Sequence, residues 1–155
     1  MAPHEEAGDL ARRLDIIESR IQIGELAAGY CEGLDRRDAD RFIGIWHDDA
    51  TYVPPGDRGT FHGPQELRGY LDQVTQAWAA THHWGANHTI RFSLPDRATG
   101  RSDAFAVCVT HSAEPYLISA TYHDAYRRDA GVWTIERRTV EQRWVSPVVA
   151  GRKDS

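Results

Sequence analysis

HTIRFSLPDRATGRSDAFAVCVTH, residues 88–111, is where the pattern of the chain changes. Ile90, Phe92 and Leu94 alternate with Thr89, Arg91 and Ser93, so apolar side chains recur at every second residue and fall on one face of an extended strand. PDRATGR, residues 95–101, interrupts the run with Pro, Asp and Gly, and a second extended run follows from Ala104 to His111. The same alternation continues downstream. A break at Ser112 to Pro115 precedes a strand over 116–126, and RRDAG, residues 127–131, precedes another over 132–145.

Upstream of residue 84 the period is three or four. Leu10, Leu14, Ile17 and Ile21 form a stripe that Ile23, Leu26, Tyr30 and Leu34 continue, which predicts one long helix. Gly24, Gly29 and Gly33 weaken its second half and permit a bend or a close crossing. Asp38 or Asp40 caps a short helix over Ala39 to Trp46, and Ala50 to Val53 reads as a strand ended by PPGDRG, residues 54–59. Pro64 opens a third helix with Leu67, Tyr70, Leu71, Val74 and Trp78 on its apolar side. Helices followed by long strands with short turns predict an α+β fold in which a curved antiparallel sheet folds over the helices. One domain over residues 1–155 is expected, with its core at about 10–145.

Composition narrows the function. Eighteen Lys and Arg against 23 Asp and Glu give a net charge of -5, which argues against nucleic acid as a partner. No apolar run is long enough for a membrane span, and MAPHEEAGDL lacks the basic and apolar regions of a secretory signal, so a cytoplasmic protein without membrane contact is expected. Cys31 and Cys108 have no CxxC spacing, and His82, His83 and His88 form neither HxH nor HExxH, so no metal is expected. The scattered glycines match neither GxGxxG nor GxxxxGK, and no cofactor is expected.

Four segments carry a resemblance. They are YCEGLDRRDADRFIGIWHDDATY (30–52), FHGPQEL (61–67), THHWGANHTI (81–90) and TYHDAYRRDAGVWTIERRTV (121–140). In this order and spacing they resemble the SnoaL-like branch of the nuclear-transport-factor-2-like (NTF2-like) superfamily. Within it they are most similar to the subgroup of hexachlorocyclohexane dehydrochlorinase, the bile-acid dehydratases and, more distantly, scytalone dehydratase. The resemblance implies an NTF2-like cone, with a bent sheet wrapped around the N-terminal helices, an internal apolar cavity, and dimers or trimers formed on the sheet's outer side. It also implies elimination without a cofactor by a His and Asp pair, which it places on His83 and Asp35, with Tyr30 at the position of a tyrosine in the bile-acid dehydratases. Where those enzymes carry a further aspartate on a central strand, SDAFAVCV (102–109) offers Ala106 or, with a shifted register, Asp103.

The residues themselves allow such chemistry. A neutral imidazole accepts a proton near neutral pH, and a carboxylate on its other nitrogen fixes the tautomer. The plain alternatives are a helix-terminal carboxylate at Asp35 and a structural histidine at a helix-to-strand junction at His83. Tyr30 precedes Asp35 by roughly 1.4 helical turns. It either donates to substrate or continues the core stripe. His111 shares strand parity with Phe105, Val107 and Val109, and faces the cavity if that face does. Trp46, Tyr52, Trp78, Trp84, His88 and Phe105 are candidates for the pocket wall, or else core. Asp124 and Arg138 read as an ion pair across neighbouring strands.

The expected function is a cofactor-independent, dehydratase-type lyase acting on an apolar cyclic or polyketide-like molecule. An aldol cyclase or double-bond isomerase would use the same base, and a binding or subunit protein would need only the cavity.

Overall fold

The structure is a computed structural model and describes residues 3–149, so the expected domain limits at residues 1 and 155 lie outside the described residues. Helix α1 runs from Pro3 to Arg36 and α2 from Ala39 to Ile43. Strand β1 (Trp46–Val53), strand β2 (Phe61–His62) and helix α3 (Gly63–Ala77) follow, and then β3 (Ala80–Leu94), β4 (Arg97–Val109), β5 (Pro115–Asp129) and β6 (Val132–Pro147). The six strands form one sheet in the order β2-β1-β6-β5-β4-β3. All neighbours are antiparallel except β1 and β6, which pair in parallel. This is the α+β architecture expected, with helices on one side of the sheet and a core between. Among the described residues no helix is long and apolar enough to cross a membrane.

The apolar stripe of α1 divides into two halves. Ile23, Leu26, Tyr30 and Leu34 are buried, whereas Leu10, Leu14, Ile17 and Ile21 remain between 50% and 60% exposed. The helix ends with Arg37 in the left-handed region (φ 56°), Asp38 N–H donating to the Gly33 carbonyl and Arg37 N–H to that of Leu34. This six-to-one and five-to-two pair is a Schellman stop. Asp38 then caps α2 by accepting from Arg41 N–H at 2.9 Å. Gly33 permits the two helices to meet, because a Cβ there would lie 2.7 Å from the Phe42 Cα.

The strands exceed their expected lengths because the turns are tighter than PDRATGR and RRDAG suggest. Only Pro95 and Asp96 separate β3 from β4. Ala130 (φ 50°) and Gly131 (φ 86°) join β5 to β6 as a two-residue hairpin turn with both residues left-handed. Upstream, β1 starts at Trp46, so α2 is shorter than the helix expected over Ala39 to Trp46. The inner face of β4 is built from small residues: Ala98, Ser102, Ala104, Ala106 and Cys108 are all buried. Their parity is opposite to that of Phe105, which lies 45% exposed on the outer face.

Candidate active site

Asp35 occupies the last turn of α1, where the helix dipole disfavours a negative charge. Strand β3 supplies what offsets this. Thr81 and His83, two residues apart, point to the same face of β3 and meet the carboxylate. Thr81 Oγ1 donates to Asp35 Oδ1 at 3.0 Å, His83 N–H donates to Oδ2 at 2.7 Å, and His83 Nδ1 lies 2.5 Å from Oδ1. Burial pushes the Asp35 pKa up, but the hydrogen bonds from the His83 side chain and backbone, with Thr81, outweigh it and hold the carboxyl below its ordinary value. An ionised carboxylate only accepts, so the His83 proton sits on Nδ1. Nε2 of the neutral ring then carries the lone pair and has no hydrogen-bond partner among the described residues. The two side chains are 11% and 16% exposed.

His83 borders an interior cavity of about 90 Å³ between α1, α3 and the sheet. Leu34, Val74, Trp78, Ile118 and Val140 form apolar wall, and Ala104, Ala106, Cys108 and Ala120 form a floor of small side chains. Burial raises the Cys108 thiol pKa to about 11, so it stays protonated. His83 and Thr81 also border an open groove between α1 and β3.

Three tyrosines form a hydrogen-bonded chain in the wall. The Tyr30 and Tyr52 hydroxyls are 2.8 Å apart, and Tyr52 donates to Tyr70 at 3.1 Å. Each phenol has one proton, so Tyr30 must donate to Tyr52, and the free proton of the chain belongs to Tyr70. Burial raises the pKa of all three. Tyr30 also presents its ring edge toward His83, with centroids 6.4 Å apart.

Beneath Tyr30 lies a buried ion pair. Arg138 Nε and Nη2 donate to the two Asp124 oxygens at 2.8 Å each, and neither side chain is exposed. The guanidinium is sandwiched between the Tyr30 and Tyr122 rings at 4.4 and 4.5 Å. Burial works against its charge, but Asp124 outweighs this and raises the Arg138 pKa. Arg138 Nη1 has no partner among the described residues.

Of the residues singled out in the sequence, Asp35, His83, Tyr30, Tyr52 and Trp78 come together around the cavity. The others do not. His111 falls in the turn after β4, where Nε2 lies 3.1 Å from the Gln76 carbonyl oxygen, outside the cavity wall. Phe105 packs on Trp144 on the outer face at 5.6 Å, because β4 turns its small residues inward. Trp84 is 50% exposed and stacks on His82 at 4.3 Å. Trp46 is buried core behind Tyr52. His88 follows the irregularity at Asn87 (φ 53°) and lies 3.1 Å from the Tyr126 hydroxyl, with burial lowering its pKa. Thr81, Tyr70 and Arg58 line the cavity without having been singled out as site residues. The parity of Thr81 with His83 was the available signal for the first of them.

Comparison with known proteins identifies the family. Residues 15–139 match the SnoaL-like domain family. Hexachlorocyclohexane dehydrochlorinase 1 of Sphingobium indicum is 32% identical over 129 residues, covering 80% of this chain and 81% of that protein. The crystal structure of LinA superposes with a TM-score of 0.85 at 27% identity, covering 88% of this chain and 93% of that one. Hexachlorocyclohexane dehydrochlorinase LinA-type3 from Novosphingobium barchaimii LL02 gives a TM-score of 0.83 at 28% identity, with 88% and 94% covered. On sequence and on structure alike, the chain belongs to the SnoaL-like domain family.

Proposed function

We propose that this protein is a cofactor-independent lyase that removes water from an apolar cyclic or polyketide-like small molecule bound in the cavity. One observation carries the reading: the Asp35 carboxylate holds His83 by Nδ1 and leaves Nε2 as an oriented, unpaired base at the cavity wall. Its relatives, named as hexachlorocyclohexane dehydrochlorinases, support elimination as the reaction class.

In the proposed step His83 Nε2 takes a proton from carbon, the C–H electron pair becomes the new double bond, and the C–O bond of the neighbouring hydroxyl breaks. The imidazolium passes its proton to the departing hydroxide, which leaves as water and restores the neutral ring. Asp35 stabilises the imidazolium while it exists. Tyr30 acts as a positioning residue, its ring set against His83 on one side and Arg138 on another. Incubation with a panel of cyclic hydroxylated metabolites, followed by mass, tests the reaction. Loss of water that requires His83 supports it, and loss of hydrogen chloride from halogenated analogues alone would make the leaving group a halide. Binding without turnover across the panel would argue for a binding protein.

We further propose that the chain works in the cytoplasm as a homodimer or homotrimer. Trp84, Phe105 and Trp144 on the outer sheet face, and the exposed stripe of α1, are apolar surfaces that association would cover. Sedimentation at micromolar concentration showing only monomer would refute it.

A further inference from the structure

Among the donors that line the cavity without an acceptor among the described residues, two bear on the charge of a ligand. One is the Tyr70 hydroxyl, whose proton is left free because the tyrosine chain runs toward it from Tyr30 through Tyr52. The other is the Arg58 guanidinium, which lines the cavity and is in no hydrogen bond or ion pair there, although Asp57 precedes it. Arg58 belongs to the loop between β1 and β2, where Gly56 (φ 75°) and Gly59 (φ 82°) hold left-handed backbone on either side of it. Although Arg58 is exposed, its charge is felt by two groups of the cavity wall. The Arg58 charge opposes the burial that raises the Tyr70 hydroxyl and the Cys108 thiol.

Arg58 is exposed at the edge of the cavity, so water solvates its charge and its donors are free to meet an anion there. Its planar N–H groups match the geometry of a carboxylate. The phenol adds a neutral donor of defined direction. The same wall carries apolar Val74 and Trp78 on the α3 side.

We propose that Arg58 and Tyr70 together bind the carboxylate of the substrate, so that the cavity selects an apolar ring acid over its neutral counterparts. This rests on the reading of the cavity as the substrate site and names the substrate class within it. The apolar ring lies against Val74, Trp78 and the alanine floor, and the carboxylate anchors it for proton abstraction by His83.

Calorimetric titration with benzoate and with benzamide, two probes of nearly equal shape, tests the anion site without turnover. Wild-type protein is expected to bind benzoate roughly tenfold or more tightly than benzamide. Arg58→Gln should remove the preference, Arg58→Lys should keep part of it, and Tyr70→Phe should weaken benzoate several-fold while benzamide changes less. His83→Ala should keep the preference, so that loss of the dyad reading in turnover assays and loss of the anion site are separate results. Circular dichroism confirms that each variant is folded. Equal affinities in the wild type, no benzoate binding at millimolar concentration, or a preference that survives Arg58→Gln would overturn the proposal. A preference abolished by His83→Ala alone would place the anion on the imidazolium, and would overturn it as well.

Discussion

The Arg37 guanidinium, on the residue that stops α1, donates to the Ala79 carbonyl at 2.6 Å, just ahead of the strand that carries His83. A second bond to the Trp78 carbonyl, at 2.9 Å, completes a staple between the helix that supplies the acid and the strand that supplies the base. Arg37 pays a backbone cost for this position, since its φ of 56° suits glycine better. Arg37→Gly therefore separates two effects. It relieves the backbone and deletes the staple, and should melt close to wild type while turnover falls roughly tenfold through misalignment of the dyad. Arg37→Ala should lose both turnover and about 1–2 kcal/mol of stability. Unchanged turnover in Arg37→Gly would show that the dyad holds its own alignment.

Removing the base is the direct test of the mechanism. Folded His83→Ala should lose roughly 100-fold or more in kcat, and Asp35→Asn should also lose activity because an amide neither stabilises the imidazolium nor enforces the tautomer. Near-wild-type turnover in His83→Ala with an identified substrate would rule His83 out.

Asp35 also leaves a signature in acid. Its pKa is lowered in the folded protein, so its contribution to stability is complete above the ordinary carboxylate value of about 4 and is lost as pH falls through the depressed folded value. The stability difference between wild type and Asp35→Asn, from urea titrations, should shrink as pH falls below about 4. Asp129 and Glu141, also lowered, act in the same window and are unchanged by this substitution. A difference that stays constant down to about pH 2 would show that the carboxylate is not held this way.

The buried Asp124 and Arg138 pair predicts a large asymmetric effect. Asp124→Asn leaves the guanidinium charged between two aromatic rings with its counter-charge gone, and should cost about 3–5 kcal/mol. Asp124→Leu with Arg138→Met should recover much of that loss, because no charge then remains buried. Thermal and urea unfolding of the single and double variants reads the difference.

The helix crossing predicts a steric effect. Gly33→Ala would drive a methyl to 2.7 Å from the Phe42 Cα, and α2 must then move. A loss of about 1–3 kcal/mol is expected, whereas Gly24→Ala, which meets nothing within 4 Å, should raise helix stability by roughly 0.5–1 kcal/mol. Denaturant midpoints for the two variants check the contrast.

Much of the fold was legible because α1, α3 and the long strands announce their periods, and Asp35 and His83 stand in segments similar to a known family. Strand facing was harder to read. In β4 the residues that look like a core, Phe105 and Val107, face outward, and the cavity takes Ala104, Ala106 and Cys108, which carry little apolar signal. That inversion also misplaced His111, which lies beyond the strand. Trp84 and the first half of the α1 stripe are apolar yet exposed, and apolar character alone does not separate a surface left for association from a core. Tyr70 read as core for a related reason. Its ring is core, and only the direction of the tyrosine chain identifies its hydroxyl as free.

The alanine floor of the cavity makes substrate size and chemical competence separately adjustable. Ala104, Ala106 and Ala120 lie on β4 and β5, while the acid and the base are held by α1 and β3. A larger side chain at Ala120, on β5 and two strands from His83, shortens the space a ligand can occupy and stays clear of the direct pairing of Ala106 with His83 across β4 and β3. A lineage carrying this scaffold can therefore change which molecule it accepts by single substitutions of volume, without first giving up its chemistry.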